Sequence, residues 1–167
     1  MRKLIVTSVA LCAAALATQA IAQAPPAPAA APPPAYGEMI NLEQAKKAAA
    51  AAQEFAAKNG WAMAISVAAP SGDLVYFQKM DNTQFASIAI SQHKARASAT
   101  YRRETKAFEA GIQGGANYLI TLDDIIASRG GIPLVEGGKL IGAIGCSGGT
   151  GSQDEVVCKA GAATVNK

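Results

Sequence analysis

Few residues in this 167-residue chain are equipped for chemistry. There is one histidine, His93, and there are three cysteines, Cys12, Cys146 and Cys158. A lone imidazole and scattered thiols exclude a His₂ or His₃ metal site and any four-cysteine cluster. The run Gly145-Cys146-Ser147-Gly148-Gly149 has the Gly-x-Ser-x-Gly form of a nucleophile elbow. That chemistry needs a histidine after the serine, and none follows Ser147. Glycines beside a serine at the end of a strand are common and account for the run. Gly137-Gly138-Lys139-Leu140 lacks the first glycine and the Ser/Thr of a phosphate loop. Asp81 and the pair Asp123-Asp124 offer carboxylates for acid–base work, although turn and cap roles suit them too.

The turn from Ser147 to Gln153 is the better candidate for a ligand. Gly148, Gly149, Thr150 and Gly151 would leave backbone N–H groups free at the start of a helix, a seat for a carboxylate or a phosphate. A plain cap, with Ser152 or Asp154 accepting those donors, is the competing explanation.

The elements that must position these residues begin after a long leader. Met1-Arg2-Lys3 is basic, 4–17 is apolar except for Thr7 and Ser8, and Ala20-Ile21-Ala22 has the small-x-small form of a cleavage site. Residues 1–22 are therefore expected to be a signal peptide, and the chain to be periplasmic or secreted. The apolar run is shorter than the roughly 20 residues a spanning helix needs, so no membrane anchor should remain after cleavage. Loss of Arg2 and Lys3 takes the formal net charge from +3 to +1. With no Lys/Arg run, the chain carries no electrostatic signature of nucleic-acid binding. Residues 23–37 are rich in proline and alanine and read as an extended, unfolded spacer. The folded domain is expected over 38–167.

Within it, Asn41 and Gln44 form a capping box ahead of a helix over 42–58, which Asn59-Gly60 stops. A strand over 61–68, a turn at Pro70-Ser71-Gly72-Asp73 and a strand over 74–77 make a hairpin. A second helix is expected over 87–101, capped by Ser87, with 102–108 continuing it after a bend. Tyr118-Leu119-Ile120 reads as a short strand or turn. The clearest hairpin is 130–135, Glu136-Gly137-Gly138-Lys139 and 140–146, its second strand apolar on both faces and so central. The last helix is expected over 153–163. Only 5% of residues are aromatic, so Ala, Ile, Leu and Val must build the core. This order gives an α+β domain, an antiparallel sheet with helices packed on it.

Several stretches then carry a resemblance. These are 68–74, Lys79-Met80-Asp81, His93-Lys94-Ala95-Arg96-Ala97, Gly130-Gly131-Ile132-Pro133, 141–145 and Gln153-Asp154-Glu155. In this order, and spanning Asn41 to Ala163, they resemble the GlcG/HbpS family of haem-binding-like proteins. The resemblance implies a profilin-like α/β/α sandwich with a five-stranded antiparallel sheet, assembled into homo-oligomers. It implies haem, or in some members a corrinoid, as cofactor, and in one secreted subgroup the sensing of haem or oxidative stress. The chain departs from the family pattern at Lys79-Met80-Asp81-Asn82-Thr83 and at Cys146.

Under that resemblance His93 is the foremost candidate to ligate haem iron, with Lys94 and Arg96 as partners for the propionates. An exposed helix-surface histidine would look the same in sequence. Gly148, Gly149, Thr150 and Gly151 become a second seat for a propionate or a small anionic ligand. There is no Cys-x-x-Cys-His, so haem would be held without covalent attachment. Cys146 and Cys158 are the only cysteines left after cleavage, and in an oxidising compartment an even count argues for a disulfide. Three functions stay open: haem binding or sensing, an enzyme acting on a small organic acid, and an oligomeric interaction module. The first is preferred, with no catalytic residue assigned.

Overall fold

The computed structural model describes residues 31–167. The expected signal peptide, and the expected spacer up to residue 30, lie outside the described residues. The chain enters the fold three residues earlier than its composition suggests. Ala35–Tyr36, inside the expected spacer, forms β1 and pairs with the strand that begins at Lys139. Tyr36 anchors this contact, its hydroxyl donating to the Thr100 carbonyl at 2.9 Å.

Helix α1 (Leu42–Lys58) starts as its residues dictate. The Asn41 side chain accepts the Gln44 N–H, and the Gln44 side chain accepts the Asn41 N–H. Its buried stripe is alanine throughout: Ala45, Ala48, Ala49, Ala52 and Ala56. Leu42 and Phe55, the large apolar residues of α1, stay partly exposed. β2 (Ala64–Ala68) and β3 (Leu74–Lys79) form the first hairpin. α2 (Ala86–Thr100) begins at Phe85 without a side-chain cap. Ser87, expected to cap it, is instead buried and accepts a hydrogen bond from Ser147 at 3.1 Å. Arg102 takes a left-handed backbone, φ +53°, and sets α3 (Lys106–Gln113) apart as a helix of its own. Tyr118-Leu119-Ile120 lies in a 3₁₀ turn, Asn117–Thr121, rather than in a strand. β4 (Gly131–Glu136) and β5 (Lys139–Ser147) form the second hairpin. α4 (Gly151–Ala162) closes the chain, capped by Thr150 with Gln153 in a second capping box.

The sheet has five strands, with β5 at its centre. β5 pairs antiparallel with β2 and β4 and parallel with β1, so the sheet is mixed rather than purely antiparallel. The parallel pair is possible because β1 arrives from outside the domain and needs no hairpin. Helices cover both faces, α1 and α4 on one and α2 on the other. The expected α/β/α sandwich is therefore the observed fold.

Small residues set the spacing of these layers. A Cβ at Gly145 would run into the α2 backbone at Ser91 and Ala95. One at Gly161 would meet Ala52 and the Ile144 side chain of β5 at 3.1 and 2.7 Å. Residues 144 and 145 thus point to opposite faces, and each face receives a helix at close range. The core they enclose includes Ile40, Met63, Ile65, Val67, Leu134, Ile144 and Val157.

Cys146 on β5 and Cys158 on α4 are disulfide-bonded, with Cα atoms 5.6 Å apart and a sequence separation of 12. Closing a loop of that length stabilises the chain by about 3 kcal/mol in the chain-entropy treatment. Cys158→Ala should therefore lower unfolding stability by about that amount in urea titration. In the chain cleaved after Ala22, a thiol count under denaturing, non-reducing conditions should be zero, and a count of two would contradict the bond.

Candidate functional site

α2 brings the sequence candidates together and then separates them. His93 and Arg96 lie on its outer side, whereas Lys94 lies on its inner side. Phe85, Ala89, Gln92, His93 and Arg96 follow helical spacing along the outer side. Ala89, Gln92, His93 and Arg96, with Asp124 from the segment before β4, line an open depression of about 250 Å³. A second depression of about 400 Å³, lined by Tyr36, Pro70, Ser71 and Thr100, lies one turn further along α2. The stem of Arg96 sits at the junction. A Cβ at Gly72, in the β2–β3 turn with φ +91°, would stand 2.9 Å from Arg96 Cγ and 3.0 Å from Thr100 Cγ2. The tight β2–β3 turn thus fixes the base of the Arg96 side chain.

The guanidinium itself is loosely held. Its nearest carboxylate is Asp124, at 3.8 Å, and both side chains are about half exposed. Arg129 makes the contrast: it donates repeatedly to Glu109, at distances from 2.7 Å, and reaches Glu155 at 3.4 Å. That hydrogen bonding holds the Glu109 carboxyl below the usual carboxylate range. Glu155 also takes Lys159 at 2.6 Å and Lys106 at 3.3 Å. These charges are engaged with one another, while Arg96 is available.

Lys94 belongs to the core. Its side chain is 1% exposed, and its ammonium contacts Asp154 Oδ2 at 2.7 Å and the Cys146 carbonyl at 3.1 Å. The expected role of Lys94 as a propionate partner is corrected: it faces the sheet, away from His93. Asp154 Oδ1 in turn accepts the Gly149 N–H at 3.0 Å. Burial pushes the Asp154 carboxyl up, while Lys94 and the Gly149 and Gly148 amides oppose that rise.

The glycine turn is corrected by the same contacts. The Thr150 N–H donates to Gln153 Oε1 at 2.8 Å, and Asp154 already occupies the anion position beside Gly148 and Gly149. Of the expected anion seat Gly148, Gly149, Thr150 and Gly151, the first three amides are thus taken from within as a cap, which corrects that expectation. The signal was legible, because Thr150-Gly151-Ser152-Gln153 has the spacing of a capping box. Ser147 is buried and donates to Ser87, so the elbow-like run has no activating base. Sequence reasoning missed Phe85, a fully aromatic side chain left 85% exposed at the start of α2, and Asp124 as a groove residue.

The arrangement suits a bound molecule better than a reaction. Among the described residues no group of three or more His, Cys, Asp or Glu could hold a metal ion. One imidazole on a helix side shared with Phe85, Ala89, Gln92 and Arg96 offers a single nitrogen donor. Arg96 adds a cation suited to a carboxylate. Fold and groove together define a small α/β/α sandwich with an open groove along the outer side of one helix.

Comparison with known proteins places it further. The family model described as "Haem degrading protein HbpS-like" matches residues 40–163, and the chain belongs to that family. Protein GlcG of Escherichia coli is 40% identical over 109 residues, covering 65% of this chain and 81% of GlcG. A double mutant of HbpS from Streptomyces reticuli superimposes with a TM-score of 0.73 at 28% identity, covering 84% of this chain and all of that one. A PduOC–haem complex shares the fold, with a TM-score of 0.70 at 21% identity, covering 77% of this chain and 96% of that one.

Lys94→Met should leave Asp154 buried without a cation and lower stability by roughly 3–5 kcal/mol. Lys94→Met/Asp154→Asn should recover part of that loss. In Lys94→Met the raised Asp154 carboxyl is stable only when protonated, so thermal stability should fall as pH rises through its folded-state pKa. A pH-independent deficit would contradict the buried-pair assignment.

Proposed function

We propose that this chain is an exported, non-covalent haem-binding protein whose ligand lies along the outer face of α2. The carrying observation is the position of His93: in a member of the HbpS-like family, the only imidazole lines an open groove one turn from a loosely held Arg96. In this reading His93 donates its ring nitrogen to the iron, Arg96 takes a propionate, and Phe85 and Ala89 meet the porphyrin body. Haem is the tetrapyrrole that the comparisons name, and a protein of the same fold has been solved as a haem complex.

The groove supports a partner copy as well. A depression of about 250 Å³ is below the usual range of about 300–1,000 Å³ for ligand pockets. A flat macrocycle seated there keeps one face open, which a second copy of the chain would cover. Export is supported by the leader at 1–22 and by the Cys146–Cys158 disulfide, a bond that persists in oxidising compartments. No described helix is long and apolar enough to cross a membrane. The small-acid enzyme reading keeps the likeness to GlcG but draws less support from the glycine turn, where the Gly149 and Thr150 amides are taken from within.

Titrating haem into the chain cleaved after Ala22 should produce a Soret band that saturates at a fixed stoichiometry. His93→Ala should shift that band and weaken binding by at least about tenfold, a loss of roughly 1.4 kcal/mol. A Soret band identical in position and affinity in His93→Ala would remove the proposed ligand. The absence of any band would remove the proposed function.

A further inference from the structure

The contact between Arg96 and Asp124 carries more than its energy. Both side chains line the same depression, one contributing a cation and the other an anion beside Ala89, Gln92 and His93. They meet at 3.8 Å, well beyond the roughly 2.7–2.9 Å of a charge-assisted hydrogen bond. Among the described residues the Arg96 guanidinium has no hydrogen-bond partner, and neither does the Asp124 carboxylate. Half-exposed pairs of this kind contribute little to stability. The chain nonetheless holds both groups in place. Gly72 packs against the stem of Arg96, and Asp124 takes a left-handed backbone, φ +58°, beside Asp123, whose carbonyl accepts the Tyr101 hydroxyl at 2.7 Å.

We propose that Asp124 is a specificity-determining residue that acts as an internal stand-in for the ligand's carboxylate. It occupies the anion position on Arg96 loosely, and it yields to an incoming carboxylate that approaches closely enough for a two-pronged hydrogen bond. The groove thereby selects flat apolar ligands that bear a carboxylate. A neutral or cationic ligand of the same shape gains nothing at Arg96 and leaves Asp124 in place. This inference rests on the haem reading above for its location, and goes beyond it in assigning a competitor and a selection rule.

The test compares haem with haem dimethyl ester, whose carboxylates are blocked, on the wild-type chain, Asp124→Asn, Arg96→Gln and the double variant. Absorbance titration gives dissociation constants, and circular dichroism confirms folding of these surface variants. Asp124→Asn should tighten haem binding about two- to fivefold, the range expected for removing one exposed competing pair. It should leave the ester unchanged, and the gain should vanish in the Arg96→Gln background. A gain that persists without Arg96, or is equal for the ester, overturns the inference as a general charge effect. So does haem binding that is sensitive to Arg96→Gln but indifferent to Asp124→Asn. Those three outcomes leave the haem reading standing, whereas haem that fails to bind wild type overturns both.

Discussion

The fold depends on burying one ion pair. Lys94 and Asp154 are each almost fully enclosed, and removing two charges from water costs several kcal/mol per ion before any attraction is counted. That cost is offset by geometry rather than by charge alone. The ammonium also donates to the Cys146 carbonyl, and the carboxylate also accepts the Gly149 amide. Four elements meet there: α2 through Lys94, the end of β5 through Cys146, the glycine turn through Gly149, and α4 through Asp154. The disulfide joins β5 to α4 one helical turn beyond Asp154. Gly130 makes room for the pair, since a Cβ there would stand 2.7 Å from Asp154 Cβ and 3.1 Å from Lys94 Nζ.

The rotation of α2 follows from this pair. Successive helical residues differ by about 100° around the axis, so fixing Lys94 inward leaves His93 and Arg96 turned toward the outer side. Gly145 fixes the distance of α2 from the sheet, and Lys94 fixes its rotation. The inner side is then small and polar, with Ser87, Ser91, Ser98 and Lys94 buried among alanines. Ser91 bonds Ser66 of β2 across the interface at 2.8 Å, so these hydroxyls are satisfied within it. A groove residue and a core residue can therefore be neighbours in sequence while serving unrelated ends.

That inner polarity is also why the sequence was legible in some places and not in others. α1 announces itself, because Asn41, Gln44 and an alanine stripe all state the same helix. The β4–β5 hairpin is as clear, with Gly137-Gly138 between two apolar runs. α2 is opaque, because its core side carries serines and a lysine, so hydrophobic periodicity cannot tell inside from outside. Lys94 and Arg96 look alike in sequence, and only tertiary contact assigns one to the core and the other to the groove. The glycine turn failed for a different reason. Its free amides were real, but Asp154, the fourth residue after Thr150, supplies the anion from within the chain. Ala35 and Tyr36 read as spacer because two strand residues are too few to outweigh the composition around them.

A chain with one histidine is a poor candidate to bind a bare transition metal, which needs three or four protein donors in a fixed geometry. Under the haem proposal, iron in a porphyrin would ask only one nitrogen of the chain, because the macrocycle supplies most of its donors. Specificity must then come from the rest of the molecule: a flat apolar body and its carboxylates. Under that proposal Ala89 in the groove and Phe85 at the start of α2 would meet the body and Arg96 a carboxylate, whereas Lys94 is committed to Asp154 and Arg129 to Glu109 and Glu155. Had Arg96 been tied into a network as Arg129 is, a ligand would have to break several charge-assisted bonds to reach it. A single loose contact at 3.8 Å keeps the cation oriented while leaving it exchangeable. The near-neutral charge expected of the processed chain makes this local asymmetry matter more, because no global field competes with it in drawing an anion to α2.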